Sequence, residues 1–309
     1  MTSHEVLDVL TKRVQAGSRP GERTDGHRVV LSVEGGGMRG AVTAGMAHAL
    51  HELGLLPAFD AVYGTSAGAI TAAWLLSSNP DGLRGWTHPD YARTLIRWWA
   101  PLRGRPVVDV RTLVEVVYQG EFPMDFASVL ASAVEWHPLG TDAVTGAATD
   151  LRSLVSDPAE VRLALRASAG LPILAGPAVV LRSRPFQVLP AGPAIPLRPA
   201  REARFLTSTF LRRESLDLRN AYLERSARTL ADVAVVAAME AAGTALSIYL
   251  PAGGPLVSRL TTDGALLAAA FEAGRQAVRG LPGITVPTMA RRAITETVVI
   301  HQNVTHGNK

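Results

Sequence analysis

Two strand–turn–helix units follow one another near the start of the chain and constrain the fold more than any other feature. In the first, the Val-rich run 28–33 leads through a glycine-rich turn at 35–40 into a helical pattern that stops at Gly54. The second unit has the same order, with a strand at 59–64 and a helix that ends before Pro80. This alternation predicts an α/β fold in three layers, with a mostly parallel sheet flanked by helices.

Beyond these units, the patterns predict mainly helices. Residues 90–135 have helical spacing, 146–150 fit a short strand, and Asp157 followed by Pro158 is typical of a helix start. The tryptophans in and beside this region fit either core positions or the lining of a lipid groove: Trp86, Trp98, Trp99 and Trp136.

The patterns divide the chain into three parts. We expect an N-terminal helix and linker at 1–27, an α/β domain at 28–280 and a partly disordered tail at 281–309. Within the domain, the motifs occupy 28–185 and a helical C-terminal part occupies 205–280.

Composition excludes several kinds of site. The chain has no cysteine, which rules out disulfides, thiolate zinc sites and a cysteine nucleophile. No pair of histidines has convincing metal-ligand spacing, so neither a metal nor a cofactor is expected. The net charge of +4 either favours anionic lipid headgroups or reflects only an arginine-rich composition. No basic run with interleaved aromatics occurs, so nucleic acid is not an expected partner.

The hydropathy pattern predicts a protein of the cytoplasm, with a peripheral membrane contact left open. The N-terminus carries charges throughout and lacks the apolar core of a secretory signal. The longest apolar stretch, 230–250, is interrupted by Asp232 and Glu240. It therefore predicts a core helix or a membrane-facing patch, not a membrane span.

The glycine-rich turn at 35–40 has two interpretations. A dinucleotide site would need an acidic residue at the carboxyl end of the second strand, but Asp60 stands at its start. The other interpretation is an oxyanion hole, because glycines before a helix leave backbone N–H groups open to a negative charge. Arg39 either supports this loop or is an exposed helix arginine.

Residues 64–68 fit the G-x-S-x-G elbow, a sharp turn between a strand and a helix. This turn exposes a serine hydroxyl at the edge of the sheet, and small neighbours relieve its crowding. The required strand and helix are both present, so this stretch is either an elbow with Ser66 as nucleophile or only a tight turn of small residues. The glycine-rich turn about thirty residues earlier on the same sheet favours the elbow.

Together these two motifs resemble those of the patatin-like phospholipases, and the segment 167–172, with the sequence ASAGLP, is similar to a small-residue segment of that family. The resemblance covers roughly residues 28 to 185 and implies a patatin-like α/β fold. It also implies a Ser–Asp dyad without histidine, which hydrolyses lipid or phospholipid acyl esters through an acyl-enzyme. By this resemblance Ser66 is the nucleophile, Gly36 and Gly37 bind the oxyanion, and Arg39 supports them. The motif residues are Gly35, Gly36, Gly37, Arg39 and Gly40 in the loop, with Gly64 and Gly68 around the serine.

The chain departs from the family at the base. No Asp or Glu occurs between Glu160 and Glu202, where the family's aspartate belongs. Asp263 stands in a family-like Asp-Gly-Ala turn, but it opens a helical pattern and is predicted to be a helix cap. Asp150 is a poorer candidate. The alternative function is therefore a catalytically impaired member that binds lipid or a partner without efficient turnover.

Overall fold

The computed structural model describes residues 4–103, 108–142, 144–169, 178–185, 204, 207–208 and 215–282. The segment expected to carry the family's aspartate, the proline-rich stretch at 186–200 and the tail after 282 lie outside these residues.

Six strands form one sheet in the described part of the chain: β1 Val30–Val33, β2 Ala61–Thr65, β3 Glu135–Thr141, β4 Ala148–Asp150, β5 Ala178–Pro185 and β6 Leu246–Leu250. Their order is β4-β3-β2-β1-β5-β6, and all neighbours are parallel except β3 and β4. The predicted mostly parallel sheet is confirmed.

The described helices are α1 Glu5–Gln15, α2 Gly40–Glu52, α3 Ala67–Leu76, α4 Pro89–Leu95, α5 Val110–Glu115, α6 Phe126–Ala131, α7 Pro158–Ser168, α8 Leu216–Ala241 and α9 Gly264–Arg279. Asp157 caps α7 by accepting the backbone N–H of Glu160, so the predicted helix start is confirmed.

Helices cover both faces of the sheet. On one face α2 and α3 are buried along almost their whole length, and α9 packs against the outer side of α2. On the other face, Val30 and Ala61 form a small apolar cluster against which Tyr63 and Val236 of α8 pack. The chain therefore has the expected three layers, with strands β1 and β2 buried between helices.

The structure departs from the sequence patterns in two places. Pro138 and Gly140 interrupt any strand pattern around His137, yet β3 forms there and pairs with β2. The apolar stretch 230–250 is not one helix, since α8 ends at Ala241 and β6 follows. Gly243, with φ +75°, makes the turn between them.

No helix within the described residues combines the length and the apolar character that a bilayer span requires.

The tryptophans divide into two groups. Trp86 and Trp136 are core residues, as is Trp74 of α3, whereas Trp98 and Trp99 are exposed.

The N-terminal helix α1 is fixed to the domain by a buried arginine. Arg13 is 2% exposed and donates hydrogen bonds to the carboxylates of Asp25 and Asp60. Asp60 also accepts hydrogen bonds from Arg23 and from the backbone N–H of Val29. This charge network joins α1, the linker and the start of β2.

Candidate active site

The two predicted motifs meet at the carboxyl edge of the sheet. Strands β1 and β2 are parallel neighbours with Val33 opposite Gly64, so the turns that follow them lie side by side. A Cβ atom built on Gly35 would lie 2.6 Å from the carbonyl oxygen of Thr65 and 3.3 Å from Cβ of Ser66. The absence of a side chain at Gly35 therefore lets the glycine-rich loop approach the serine directly.

Ser66 has a strained backbone. Its φ of 53° and ψ of −124° place it outside the regions that side-chain-bearing residues favour, and it is the one non-glycine residue with positive φ in the described part of the chain. Such strain costs about 1–3 kcal/mol and persists where surrounding contacts impose it. The geometry is that of a sharp strand-to-helix turn, with α3 beginning at the next residue.

The glycines around Ser66 are required by close packing. A Cβ atom on Gly64 would lie 2.5 Å from the carbonyl oxygen of Gly68, and one on Gly68 would lie 2.1 Å from that of Val33. Both contacts are with backbone, which cannot move aside as a flexible side chain could. The G-x-S-x-G pattern thus has a steric cause here.

Ser168, at the end of α7, holds the turn from the other side. The N–H of Ser66 donates both to the carbonyl oxygen and to Oγ of Ser168, each at 3.0 Å. Oγ of Ser168 in turn donates to the carbonyl oxygen of Leu139 in β3 at 2.6 Å. Sequence reasoning did not assign Ser168 a role. The sequence feature that could have pointed to Ser168 is its place in the small-residue run at 167–172.

The glycine-rich loop presents backbone N–H groups beside Ser66. The N–H groups of Met38 and Arg39 are bonded to the carbonyl oxygens of Arg259 and Gly36. By contrast, among the described residues no backbone hydrogen bond engages the N–H of Gly36 or Gly37. A glycine-rich loop with N–H groups next to the serine is the arrangement that the oxyanion interpretation expects. Arg39 is half-buried at the cap position of α2, and Gly40 is that helix's first residue.

Asp263 is the N-cap of α9. Its Oδ1 accepts the backbone N–H groups of Ala265 and Leu266 at 2.9 and 3.1 Å. The cap predicted for this residue is therefore present. Arg259, four residues earlier, contacts the glycine-rich loop through its carbonyl oxygen.

Asp150 belongs to a different cluster. Its carboxylate bonds Nδ1 of His137 at 2.6 Å, while Glu135 bonds Nε2 at 3.2 Å and Tyr63 stacks on the ring. Both ring nitrogens are thus occupied by carboxylates. Asp150 pairs with β3, two strand spacings or about 10 Å from β2. Asp150 and His137 therefore bind each other in a cluster of their own and do not lie beside Ser66.

Asp60 does not serve a nucleotide. It precedes β2 at the amino end of the sheet and is bonded to two arginines. The dinucleotide interpretation of the glycine-rich turn therefore lacks its acidic residue. No group of three metal-ligating side chains occurs among the residues that the structure describes.

A cavity of about 440 Å³ lies beside the residues that hold the elbow. Val108, Val110 and Arg111 line one wall, and Leu163, Arg166 and Ala167 of α7 line the other. Ala167 directly precedes Ser168, so one turn of α7 contributes to both the cavity and the support of Ser66.

The fold and these turns define a class, that of α/β proteins with a serine elbow beside a glycine-rich loop. A family model described as patatin-like phospholipase matches residues 31–188, slightly more than half of the chain. The chain belongs to the patatin-like phospholipase family, whose name indicates action on lipids as a hydrolase. A search of curated proteins found no match.

Proposed function

We propose that this protein hydrolyses acyl esters of lipids or phospholipids with Ser66 as nucleophile. The observation that carries the proposal is the strained backbone of Ser66, which the surrounding glycines and Ser168 impose. Backbone strain concentrates at functional sites because it fixes a reacting group in an otherwise unfavourable position. Family membership supports the same chemistry.

The proposed reaction has two steps. Oγ of Ser66 loses its proton to a base and attacks the ester carbonyl carbon, and the oxyanion binds the N–H groups of Gly36 and Gly37. The carbon–oxygen bond of the ester then breaks, and the alcohol leaves with a proton. Water attacks the acyl-enzyme in the same way, which releases the fatty acid and restores Ser66.

The proposed reaction needs a base to take the proton of Ser66. Asp263 is the candidate that the Asp-Gly-Ala turn offers, although its Oδ1 already accepts two backbone N–H groups of α9. An Asp263→Asn change keeps the cap and removes the carboxylate. If Asp263 is the base, ester hydrolysis falls by orders of magnitude while the melting temperature changes little.

A second candidate function is lipid binding without efficient turnover. The observation that favours it is the lack of any acidic residue between Glu160 and Glu202, together with the capping role of Asp263. A serine hydrolase that lacks its base still accelerates hydrolysis roughly 10³–10⁴-fold over the reaction in water, through the oxyanion hole and substrate binding.

A fluorophosphonate probe distinguishes the two candidates. We expect the probe to label the native protein and the matched control Ser153→Ala, an exposed serine, but not Ser66→Ala. Hydrolysis of p-nitrophenyl butyrate should be lost in the same variant, by about 10⁶-fold for a fully active enzyme. Absence of labelling, with hydrolysis at background in the native protein, would contradict the hydrolase proposal and support lipid binding alone.

A further inference from the structure

Three large apolar side chains are exposed together on the connection between α4 and α5. Trp98 is 57% exposed, Trp99 is 79% exposed and Leu102 is 80% exposed. All three lie within five consecutive residues. Exposed tryptophans are unusual, because burying such a side chain removes some 150–250 Å² of largely apolar surface from water.

The fold holds this connection at its base. Ile96 forms an antiparallel bridge with Val108, and the N–H of Asp109 donates to the carbonyl oxygen of Leu95 at 2.8 Å. Ile96 is buried in the core. The tryptophans that follow it therefore extend outward from a fixed base.

Positive charge is concentrated on the same segment. Residues 91–111 contain five arginines and one aspartate, a net charge of +4 that equals that of the whole chain. Of these arginines, Arg97 and Arg103 directly flank the apolar side chains and are exposed. Arg93 is also exposed, and Asp90 lies 3.9 Å from it.

We propose that Arg97, Trp98, Trp99, Leu102 and Arg103, here called the Trp98 patch, dock this protein on an anionic phospholipid surface. Tryptophan prefers the boundary between headgroups and acyl chains, and arginine beside it is attracted to anionic headgroups. Three partly exposed apolar side chains present less than the roughly 800 Å² per partner of a stable protein interface. Binding to a lipid surface adds the buried apolar area and the attraction between basic side chains and anionic headgroups, so a small patch beside arginines suits it.

The patch stands close along the chain to the cavity beside the elbow. Val108, which closes the base of the connection, lines that cavity, and so does Ala167 next to Ser168. The proposal rests on residues other than the catalytic ones and holds even if Ser66 is inert.

Vesicle co-sedimentation of the Ser66→Ala protein tests docking without hydrolysis. We expect stronger binding to mixed phosphatidylcholine–phosphatidylglycerol vesicles than to pure phosphatidylcholine, with a decrease as salt is added. Trp98→Ala combined with Trp99→Ala should weaken binding roughly tenfold or more. Arg97→Gln combined with Arg103→Gln should weaken it about fivefold for each arginine, on the anionic vesicles alone.

Matched variants separate docking from general effects. Leu102→Glu should abolish binding, whereas Leu256→Glu, at a leucine that is 74% exposed elsewhere, should not. Arg228→Gln on α8 serves as the control for the arginine pair. Both leucines are exposed, so their variants are expected to fold, which circular dichroism checks.

Three outcomes would overturn the proposal. They are unchanged binding after the tryptophan substitutions, equal losses in the control variants, and no binding of the parent protein to anionic vesicles. A concentration-dependent dimer that the tryptophan substitutions dissociate, without vesicle binding, would assign the patch to a second copy of the chain. Because Ser66→Ala is used throughout, failure of docking says nothing against hydrolysis.

Discussion

Ser168 fixes the backbone of Ser66 through a hydrogen bond that joins residues far apart in sequence. Its Oγ accepts the N–H of Ser66 and donates to Leu139, so β2, β3 and α7 meet at one buried hydroxyl. In the reaction we propose, the Ser66 N–H is used for positioning and the glycine-rich loop would supply the oxyanion donors. Positioning of the serine and stabilisation of charge would then belong to different segments.

Replacing Ser168 with Ala should disturb the elbow without removing any catalytic group. The buried carbonyl oxygen of Leu139 loses its donor, which should lower the free energy of unfolding by about 1–3 kcal/mol. The rate of labelling of Ser66 by a fluorophosphonate should also fall, because the turn is less firmly held. Urea denaturation and labelling kinetics measure the two effects. A variant with native stability and native labelling would show that the backbone bond from Ser66 to Ser168 suffices alone.

The position of Ser66 could be predicted from the sequence because its motif is local. Strand, glycine, serine, glycine and helix follow one another without interruption, and the steric reason for each glycine lies within a few residues or in the neighbouring strand. Ser168 could not be found in this way. Its contact with Ser66 spans 102 residues, and a serine at the end of a helix carries no signal of such a partner.

At the scale of elements, α2 and α9 pack with their backbones in contact. A Cβ atom on Gly274 of α9 would lie 2.1 Å from the carbonyl oxygen of Val42, and one on Gly45 of α2 would lie 1.9 Å from that of Phe271. Two glycines, one from each helix, thus permit the close approach. Because α2 begins at the glycine-rich loop, this packing supports the site from behind.

Gly274→Ala should destabilise the protein despite improving the helix propensity of α9. Alanine gains up to about 1 kcal/mol over glycine in a helix. Separating two packed helices to admit a methyl group costs about 2–3 kcal/mol, so the clash prevails. Thermal denaturation should show a lower melting temperature. Gly253→Ala is the comparison. Gly253 has a φ of +77° but open space around it, so this change should lower the free energy of unfolding by about 1 kcal/mol through backbone strain alone. Unchanged or higher stability of Gly274→Ala would contradict the packing explanation.

The two N-terminal strand–turn–helix units could be predicted because hydrophobic runs, glycine turns and helix ends all indicated the same structure. Strands β3 and β6 could not. In β3, Pro138 lacks the backbone N–H that a strand donates, so the local sequence looks like a loop. In the other case, β6 lies in the same apolar stretch as the end of α8, which hides the boundary between them. Their pairing with distant strands, not a local preference, stabilises both.

At the scale of the whole molecule, the Arg13 network should make the free energy of unfolding depend on pH in the acid range. Bonding to Arg13 lowers the pKa of Asp25. Burial works to raise the pKa of Asp60, but hydrogen bonds from Arg23, Val29 and Arg13 outweigh it and lower that pKa below 3.8. A carboxylate with a depressed folded-state pKa stabilises the fold fully above its unfolded-state pKa.

The stabilisation from this network should therefore be complete at neutral pH, decline as the pH falls below about 4 and vanish below the folded-state pKa values. Denaturation midpoints measured between neutral pH and strong acid should show this decline. In Asp60→Asn the protein should be less stable at neutral pH and the decline shallower. A parallel pH profile in the variant would assign the acid sensitivity to other carboxylates.

The tryptophans of the unlabelled protein form two groups that differ in their fluorescence emission. Indoles in the core emit at shorter wavelength and are shielded from aqueous quenchers, and Trp74, Trp86 and Trp136 are all of this kind. Trp98 and Trp99 account for the water-exposed emission, so iodide quenches these two selectively. Any surface that covers them shifts this emission to the blue and protects it from iodide. The native chain can therefore report its own docking in real time.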